Sequence, residues 1–390
     1  MSKIEKMAQP FCQNSVEYVP VKDLFSVLPA PKKIPRSRYG EGSLYPVIDQ
    51  GQALVSGYTD DESALVPKGE YVLFGDHTRE VKWVNFPFAQ GADGLKILIP
   101  GKSLVPRYAY HAIKNLHIAS RGYNRHWTVL YKMKIPVPPL EIQREIVRIL
   151  DFFEKLGAEL EAELEARKAQ YAYYRDRLLS HESLERMEGA AIESHPLGEL
   201  GTFTRGRRFT KADYAENGVP SIHYAEIYTQ FGTATDKALS FVRNDKAGSL
   251  RYAQPGDLII ACTGEDSKDI AKAVAWMGEG PVAVHDDCAI FHHTINPKYV
   301  SYYFQTSDFS KLKQRYATEA KMTRISVKRL ASFEIPVPTP AVQQQVVDIL
   351  DRFDALTTSL TDGLPAEIEA RRKQCEYYRD RLLDFPRKEA

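Results

Sequence analysis

The chain has 390 residues, of which 43% are hydrophobic and 26% are charged, and its formal net charge is +1. This composition is typical of a soluble protein with two ordinary domains, and the balanced charge argues against indiscriminate nucleic-acid binding while leaving room for local basic patches. No apolar run reaches the roughly 20 residues that cross a bilayer, and the first residues lack the apolar core of a signal peptide, so a cytoplasmic location is expected.

Short apolar runs separated by Gly, Pro, Asp and Asn fill the chain from about residue 10 to residue 133. Runs of this length between turn-forming residues predict strands, and residues 71–74 and 97–99 are the clearest examples. A helix is expected near 105–115. This part of the chain therefore predicts a mixed domain of strands and helices.

The motif Ile-Pro-Val-Pro at 135–138 predicts an extended segment, because its prolines forbid a helix until they have been passed. Apolar residues then recur at alternating gaps of four and three, which is typical of a helix that packs along another helix. These seam residues are Ile142, Ile146, Ile149, Phe153, Leu156 and Leu160. A helix from 140 to 180 would be roughly 60 Å long, at about 1.5 Å per residue.

The second half of the chain repeats this plan. Strands are clearest at 257–261 and 282–284, and a second Ile-Pro-Val-Pro follows at 335–338. The second seam has the same gaps in the same phase and consists of Val342, Val346, Ile349, Phe353, Leu356 and Leu360. Gly363 and Pro365 predict a break in this helix, with the proline in the first turn of a new one.

Further repeated motifs indicate that the two halves are copies. Ile-Leu-Asp at 149–151 recurs at 349–351, and Tyr-Tyr-Arg-Asp-Arg-Leu-Leu at 173–179 recurs at 377–383. A period of about 200 residues fits one domain plus one long helix and is too long for a solenoid repeat. The expected segments are a first domain at 1–134, a central helix at 135–182, a second domain at 183–334 and a C-terminal helix at 335–390.

The predicted fold class is α+β: two similar mixed α/β domains separated by a pair of long antiparallel coiled-coil-like helices, with pseudo-twofold symmetry. Duplex DNA has the same kind of axis, so such a protein could present its domains to two inverted half-sites. Because the domains differ in sequence, the half-sites should differ too, with unread base pairs between them. The alternative interpretation of the helical seams is that they belong to an ordinary core.

The stretch Gly-Leu-Pro-Ala-Glu-Ile-Glu-Ala at 363–370, together with the layout and the repeated motifs, resembles the DNA-specificity subunit of type I restriction–modification enzymes, nearest the IC class. The resemblance covers essentially the whole chain. It implies a non-catalytic subunit whose two target-recognition domains bind double-stranded DNA. It also implies helices that dock two modification (methyltransferase) subunits, through which restriction subunits join.

Under this resemblance, S-adenosylmethionine, ATP and magnesium would belong to the partner subunits, not to this chain. The implied docking and spacer positions are the twelve seam residues and the residues of the repeated C-terminal motif. The motif residues in question are Tyr174, Arg175, Tyr378 and Arg379.

Motifs that would indicate catalysis are missing or incomplete. The sequence has no Asn/Asp-Pro-Pro-Tyr/Phe methylation motif, and Gly101-Lys102-Ser103 lacks the first glycine of a P-loop, where Lys96 stands. Asp257, with Asp266 and Lys268, could in principle hold a metal ion for a nuclease. Asp257 fits better as the residue that closes the turn before a strand, so no catalytic residue and no metal ligand is predicted.

The strongest candidate for DNA contacts in the second domain is a basic loop around Gly206. Arginine can pair with guanine through two hydrogen bonds or bind phosphates, and glycine allows close backbone approach. The alternative is a solvated basic loop without function. The loop contributes Arg205, Arg207, Arg208 and Lys211, and weaker candidates nearby are His223, Tyr224, Lys268 and His285.

The first domain offers three groups of candidate DNA contacts. Glutamine can pair with adenine in the major groove, whereas arginine and lysine suit phosphates. The groups are Gln50 with Gln52, His77 with Arg79 and Lys82, and Arg121 with Asn124 and Arg125. No histidine among these residues is predicted to be a ligand.

A repeated tetrapeptide in the first long helix predicts a spacer. Gly-Ala-Glu-Leu at 157–160 is followed by Glu-Ala-Glu-Leu at 161–164. Four residues advance a helix by about 6 Å, so a change of one tetrapeptide should alter the unread gap by one or two base pairs. The alternative is a generic helix-favouring stretch rich in Ala, Glu and Leu.

Two other functions compete with DNA recognition for a partner enzyme. A stand-alone DNA nuclease or methyltransferase would cut or methylate DNA as the purified chain alone. A duplicated protein-binding scaffold would not bind DNA, which the basic loop argues against.

Overall fold

The computed structural model describes residues 15–92, 94–122, 124–264, 270–316, 323–358 and 363–388. The chain divides into two compact units, one formed by 1–160 with 368–390 and the other by 161–367. This division falls within the long helix and does not test the expected segment boundaries, which stay a prediction.

The strands of the first domain form two four-stranded sheets and a two-stranded pair. The strands are β1 (Glu17–Pro20), β2 (Phe25–Leu28), β3 (Tyr45–Ile48), β4 (Gly57–Thr59), β5 (Leu65–Val66), β6 (Tyr71–Gly75), β7 (Val81–Val84), β8 (Phe88–Gln90), β9 (Leu95–Pro100) and β10 (Lys134–Val137). The sheet orders are β2-β9-β6-β7 and β4-β3-β8-β5, and β1 pairs with β10.

The strands of the second domain form two five-stranded sheets and two pairs. The strands are β11 (Ser194–Pro196), β12 (Gly201–Arg205), β13 (Tyr214–Ala215), β14 (Val219–Ile222), β15 (Ala234–Thr235), β16 (Ser240–Val242), β17 (Tyr252–Ala253), β18 (Leu258–Ala261), β19 (Thr263–Gly264), β20 (Ala273–Trp276), β21 (Val282–Val284), β22 (Cys288–His293), β23 (Thr323–Arg324) and β24 (Glu334–Pro336). The sheet orders are β12-β22-β18-β20-β15 and β13-β16-β14-β21-β17, and β11 pairs with β24 and β19 with β23.

Most of the described helices are short, and three of them have 19 residues or more. They are α1 (Val21–Leu24), α2 (Pro106–Lys114), α3 (Trp127–Leu130), α4 (Leu140–Leu178), α5 (His181–Glu188), α6 (Leu197–Leu200), α7 (Tyr224–Thr229), α8 (Pro297–Tyr303), α9 (Ser307–Tyr316), α10 (Val327–Ala331), α11 (Pro340–Thr358) and α12 (Leu364–Leu383). In the part of the chain that the structure describes, none of these helices is both long and apolar enough to cross a membrane.

The two domains share one topology, which confirms the duplication. The order β2-β9-β6-β7 matches β12-β22-β18-β20, and β4-β3-β8-β5 matches β16-β14-β21-β17. The parallel pairing of β3 with β8 in the first domain matches the parallel pairing of β14 with β21. The second domain adds β13 and β15 at the sheet edges.

The central strand of each domain explains the apolar runs in the sequence. In β6, Leu73 packs between the two sheets, whereas Val72 and Phe74 pack against the cluster that holds the helices. In β18, Ile259 and Ile260 divide between two clusters in the same way. Because successive side chains of a strand point to opposite faces, a strand buried on both faces is apolar throughout.

The long helices begin against their own domains. In α4, Ile146, Ile149 and Phe153 are buried in the core of the first domain, and the Phe153 ring stacks on Tyr378 of α12 with centroids 5.2 Å apart. The Tyr18 hydroxyl donates to the Phe385 carbonyl at 3.0 Å, which places the end of the chain beside β1 and β10. Since β10 leads into α4, α12 runs antiparallel to the first part of α4.

The second unit has the matching arrangement. Val342 and Val346 of α11 are buried in the core of the second domain. Phe353 stacks on Tyr174 of α4, with centroids 5.8 Å apart. The Thr339 N–H donates to the Glu188 carboxylate of α5 at 2.9 Å, so α11 begins near the end of α4 and runs antiparallel to its second part.

The predicted seams are only partly correct. Ile142, Leu156, Leu160 and Ile349 are half-buried, but Leu356 is 42% exposed, so the seam prediction is wrong there. Leu360 lies outside the described residues. The first turns of each seam pack on the helix's own domain as well as on the other copy, because those turns follow directly from a domain strand.

The break predicted in the second helix is confirmed. α11 ends at Thr358, and α12 begins at Leu364 with Pro365 in its first turn. Proline is tolerated there because the N–H of that position would have no helical partner.

A buried histidine should make the second domain sensitive to acid. Burial lowers the pKa of His293 to about 4. The unfolded chain, with a histidine pKa of about 6.5, then binds more protons between these values, and the free energy of unfolding should fall by on the order of 3 kcal/mol as the pH drops through that range. Urea unfolding at pH 7, 5.5 and 4 measures this loss.

The matched variant for this test is His293→Gln, which removes the titrating ring. Its free energy of unfolding should change less between pH 7 and pH 4 than that of the parent protein. His181→Gln, at a side chain that is 48% exposed, serves as the control and should keep the parent's pH dependence. An equal pH dependence in all three proteins would contradict the role of His293.

Candidate nucleic-acid interface

A cleft lined by three arginines and two aspartates opens at the end of β12 in the second domain. β12 ends at Arg205, and the loop after it carries Arg207 and Arg208 before Phe209 returns to the interior, where it is 4% exposed. The residues that line the cleft are Arg205, Arg208, Phe209, Thr210, His285, Asp286, Asp287 and Arg324. The predicted basic loop therefore forms one wall of a concave surface.

The backbone of this loop lies directly on the sheet. The Gly206 N–H donates to the Cys288 carbonyl at 3.0 Å, and the Arg207 N–H donates to the Val284 carbonyl at 2.9 Å. A Cβ on Gly206 would lie 2.1 Å from the His285 carbonyl oxygen, so only glycine allows this approach. The backbone that carries the exposed Arg207 side chain is therefore held in place on the sheet.

His285 supports the loop from the opposite wall. Its Nε2 donates to the Phe209 carbonyl at 3.0 Å, and its Nδ1 accepts from the Asp287 N–H at 3.3 Å. Both ring nitrogens are engaged within the domain. The prediction that His285 contacts DNA is corrected for this reason.

His223 also has a structural role. The Glu226 N–H donates to the His223 carbonyl at 3.1 Å, and the Glu226 carboxylate accepts from the His223 N–H at 2.9 Å. The backbone of His223 thus caps the start of α7, and burial lowers the pKa of its ring. The side chain of His223 stays a predicted DNA contact, as do the half-exposed Tyr224 and the exposed Lys211.

Two arginines were missed at the level of sequence, one that holds the basic loop and one in the cleft wall. Arg251 donates from Nη1 to the Arg205 carbonyl at 2.6 Å, and Arg324 lies on the cleft wall. Arg324 lies on the cleft wall because β23 pairs with β19, which places Arg324 opposite Thr263. No local sequence pattern predicts this pairing. Neither arginine lies in the basic loop around Gly206 that led to the prediction.

The nuclease candidate is only partly within the described residues. The Gln254 N–H donates to the Asp257 carboxylate at 2.7 Å, which confirms that Asp257 closes the turn before β18. Asp266 and Lys268 lie outside the described residues, so the prediction that Lys268 contacts DNA stays a prediction.

The first domain has a cleft of its own, between β2, β9 and the loop after β6. It brings together His77 and Arg125, which were predicted in separate groups, and adds Lys33 and Lys96, which were missed. The lining residues are Val27, Leu28, Pro29, Ala30, Lys33, Asp76, His77, Gln90, Gly94, Leu95, Lys96, Ile97 and Arg125.

The two clefts occupy the same place in the shared topology. The cleft of the first domain lies where β2 ends and β9 begins, and the cleft of the second domain lies where β12 ends and β22 begins. These strands are equivalent in the two copies. The duplication therefore places one cleft with basic residues in each domain, with different side chains in the two copies.

Lys82 is not available to bind phosphate. Its side chain is 6% exposed, and Nζ donates to the carbonyls of Asp49 and Ala53 at 2.8 and 2.5 Å. Burial lowers the pKa of Lys82. The prediction is corrected: Lys82 closes the loop that carries Gln50 and Gln52.

The two glutamines of that loop differ in their surroundings. The Gln50 Oε1 accepts a hydrogen bond from the His77 N–H at 3.1 Å, so this amide also ties two loops together. Gln52 is exposed. Both stay predicted DNA contacts, with Gln52 the freer to reach a base.

The third predicted group is a loop held by His126. The His126 Nε2 accepts from the Arg121 N–H at 3.1 Å, and Asn124 Nδ2 donates to the Arg121 carbonyl at 2.5 Å. Arg79 has a left-handed backbone, with φ 67°, and its Nη1 donates to the Ile118 carbonyl at 3.0 Å. Arg79, Arg121 and Asn124 are exposed and remain predicted DNA contacts.

Two clusters among the described residues have the composition of a metal site. Their ligand atoms lie within 4.8 Å of one another, and they are His111 with Asp151 and Glu154, and His285 with Asp286 and Asp287. In the first cluster Arg107 already pairs with Asp151 at 2.8 Å and with Glu154 at 2.5 Å. In the second cluster the His285 Nε2 donates to the Phe209 carbonyl, and its Nδ1 accepts from the Asp287 N–H. Both clusters fit structural hydrogen bonding better than metal coordination.

The predicted docking residues of the repeated motif make contacts inside their own units. Tyr378 is 5% exposed, so its prediction as a partner contact is corrected to a core role. The Arg175 side chain is 12% exposed, and Arg379 donates from Nε to Asn115 at 3.3 Å. Tyr174, which is 37% exposed, is only partly covered by its stacking contact.

Comparison with known proteins gives consistent results over nearly the whole chain. Residues 14–167 and 191–370 match the type I restriction modification DNA specificity domain. The chain is 33% identical over 410 aligned residues to the type I restriction enzyme EcoR124I/EcoR124II specificity subunit of Escherichia coli, with 100% of this chain and 98% of that protein covered. A putative type I restriction enzyme specificity subunit of Haemophilus influenzae is 28% identical, with 95% and 96% covered.

Solved structures show the same fold. A crystal structure of the S subunit of a type I restriction–modification system from M. genitalium covers 95% of this chain and 97% of its own, with a TM-score of 0.53 and 16% identity. A chain from a study of complex assembly and conformational transition of the type I system covers 96% and 99%, with a TM-score of 0.62 and 13% identity. With both domains matched by the family and the full length shared with its relatives, this chain belongs to the type I restriction–modification DNA specificity family.

Proposed function

We propose that this chain is the sequence-recognition subunit of a type I restriction–modification complex and that each domain reads one half of a bipartite, asymmetric DNA site. The observation that carries the proposal is the pair of equivalent clefts, one in each copy of the same topology. Concave surfaces with convergent basic groups suit nucleic acid, whose phosphates supply much of the affinity and whose bases supply the specificity.

The side chains of the two clefts support different half-sites. The cleft of the second domain uses Arg205, Arg208 and Arg324, whose planar guanidinium groups can pair with guanine through two bonds. The cleft of the first domain uses Lys33 and Lys96, which act as point charges, beside Arg125. Domains with such different cations should prefer different bases.

The chain itself is proposed to be non-catalytic and nearest the IC class. Methylation and cleavage would be carried out by modification and restriction subunits, which would bring S-adenosylmethionine, ATP and magnesium. This division is supported by the sequence, which contains no methylation motif and no complete P-loop.

Mapping of methylated bases tests this function. The chain is co-expressed with modification subunits from its own source, and the methylated adenines of the host DNA are located by sequencing. One two-part sequence with a fixed gap is expected. Methylation at a continuous or unrelated sequence, or cutting or methylation by the purified chain alone, would contradict the proposal.

We infer that two modification subunits dock on equivalent helix surfaces, one around Tyr173 and the other around Tyr377. These tyrosines are 58% and 48% exposed and occupy the same place in the repeated motif. Arg177 donates to the Tyr173 hydroxyl at 3.4 Å, and Arg381 donates to the Tyr377 hydroxyl at 2.6 Å. Exposed residues that are identical in both copies suggest one kind of partner bound twice.

Alanine at these tyrosines should remove the modification subunits one at a time. Exposed tyrosines at the centre of an interface are often worth about 2 kcal/mol or more, which is roughly a 30-fold loss of affinity. Tyr377→Ala should leave a complex with one modification subunit, and Tyr173→Ala with Tyr377→Ala should leave none at the same concentration. Native mass spectrometry of the purified complexes counts the subunits.

Phe152→Ala is the matched control for the docking test. Phe152 is 59% exposed on the same long helix, but its counterpart in the second copy is Arg352, so it is not part of a repeated surface. Two modification subunits should remain bound to this variant. If the double tyrosine variant also retains both subunits, the docking surface lies elsewhere.

A further inference from the structure

Both domains are attached to their long helices by the same set of contacts, of which the tyrosine and the glutamine are buried and the ion pair is partly exposed. Each set consists of a tyrosine, a glutamine and an ion pair, and we call it a clamp. The clamp of the first unit contains Tyr108, Gln143 and Arg107 with Asp151, and the clamp of the second unit contains Tyr299, Gln343 and Lys298 with Asp351.

The glutamine of each clamp joins three segments. Gln143 is fully buried, its Oε1 accepts from the Val105 N–H at 2.8 Å, and its Nε2 donates to the Pro138 carbonyl at 2.8 Å. In the second copy Gln343 accepts from the residue before α8 at 2.9 Å and donates to the Pro338 carbonyl at 2.7 Å. Each amide thus connects the long helix, the proline segment and the start of a domain helix.

The tyrosine of each clamp contacts the same proline segment. The Tyr108 hydroxyl donates to the Pro136 carbonyl at 3.0 Å, and the Tyr299 hydroxyl donates to the Pro336 carbonyl at 2.9 Å. Both tyrosines are fully buried. The repeated Ile-Pro-Val-Pro motif therefore supplies two carbonyl acceptors per copy, which an extended chain leaves free for side-chain donors.

The ion pair of each clamp lies two turns further along the long helix. Arg107 Nε is 2.8 Å from the Asp151 carboxylate, and Lys298 Nζ is 2.7 Å from the Asp351 carboxylate. Each pair joins the second residue of a domain helix to the long helix. A domain attached at several points along a helix resists rotation about it, whereas one attached at a single point could turn.

We propose that the two clamps are positioning elements that restrict the enzyme to a single gap length between its half-sites. One base pair more or less moves a half-site by about 3.4 Å and turns it by about 35°. A domain free to tilt on its helix by that amount could follow the half-site, and the gap would then be loosely defined. This inference rests on the proposed function, because it concerns the geometry of bipartite recognition.

The test removes clamp hydrogen bonds and measures discrimination between gaps. Tyr108→Phe with Tyr299→Phe deletes only the two hydroxyl groups, and Gln143→Ala with Gln343→Ala removes the amide contacts. The complete complex with modification subunits is assayed for methylation of DNAs whose half-sites are constant and whose gaps are the preferred length, one base pair shorter and one longer.

The expected result is a loss of discrimination that exceeds the loss of activity. The ratio of methylation rates on the preferred gap to those on the neighbouring gaps should fall by about tenfold in each double variant, while the rate on the preferred gap falls only severalfold. Tyr303→Phe, in the same helix as Tyr299 but in contact with Phe309, is the control and should keep the parent ratio.

A purely structural role for the clamp gives a different outcome. It would lower the rates on all three DNAs together and leave their ratio unchanged, which would overturn the proposal. If the glutamine variants fail to fold, the tyrosine variants decide the matter, since they alter no side-chain shape. If the parent complex shows no preferred gap at all, the proposed function fails instead, and the two failures are distinguishable.

Discussion

Insertion of one more Glu-Ala-Glu-Leu after Leu164 should lengthen the unread gap of the target by one or two base pairs and leave both half-sites unchanged. The repeated tetrapeptides at 157–164 lie within α4, which is one continuous helix of 39 residues. Four added residues extend a helix by about 6 Å and rotate its C-terminal part by roughly 40°.

The original target should then be recognised poorly. A half-site displaced by one base pair places every base contact of one domain out of register, and each mismatched base pair costs about 1–3 kcal/mol. The loss on the original gap should therefore reach about two orders of magnitude or more. Methylation mapping in cells, with and without the insertion, measures both the new gap and the loss of the old one.

A substitution that leaves the helix length unchanged provides the control. Gly157→Ala lies in the same tetrapeptide, and a Cβ at Gly157 would meet no atom within 4 Å. The variant should keep the parent gap and be stabilised by roughly 0.5–1 kcal/mol, because alanine favours a helix interior over glycine. An unaltered gap in the insertion variant would falsify the spacer interpretation.

Replacement of Arg207 and Arg208 together by alanine should weaken specific DNA binding by about 2–4 kcal/mol, on the order of 30- to 1000-fold, without unfolding the protein. Both side chains are exposed, and the loop backbone is held by Gly206 and its neighbours whatever the side chains are. Fluorescence anisotropy with the complete complex, at one fixed salt concentration, measures the affinity.

The salt dependence separates two roles of these arginines. If they bind phosphates, the slope of log affinity against log salt should fall by about one for each residue removed. If they read guanine, discrimination should relax in only one half of the target. Arg186→Ala, at a side chain that is 63% exposed on α5 and outside the cleft lining, should change neither quantity. Undiminished affinity in the double variant would remove the loop from the interface.

The sequence predicted best where local and repeated patterns carried the information. The runs at 71–74 and 282–284 are β6 and β21, and the long helix at 140–180 is α4. The break before Pro365 followed from the chemistry of proline alone. These features are local, and the repeat of the pattern in the other copy supported the strands and the start of the long helix.

Side chains whose surroundings come from distant segments were predicted less well. From the sequence, Lys82 is expected to be an exposed cation. In the structure the loop at 49–53 covers it, and its ammonium group donates hydrogen bonds to two carbonyls of that loop. From the sequence, His285 is expected to be a polar residue exposed at the end of a strand. In the structure its ring donates to the Phe209 carbonyl of another loop. Arg324 gave no signal at all until β23 paired with β19.

The sequence alone determined that this protein is a duplicated pair of domains on long helices, because the repeats of composition and spacing survive without any knowledge of contacts. Only the tertiary structure decided which basic residues share a cleft, and that Tyr378 packs inside while Tyr377 remains exposed. The reason is physical: burial and hydrogen-bond partners depend on segments far apart in the chain, and a strand register or a helix crossing brings those segments together.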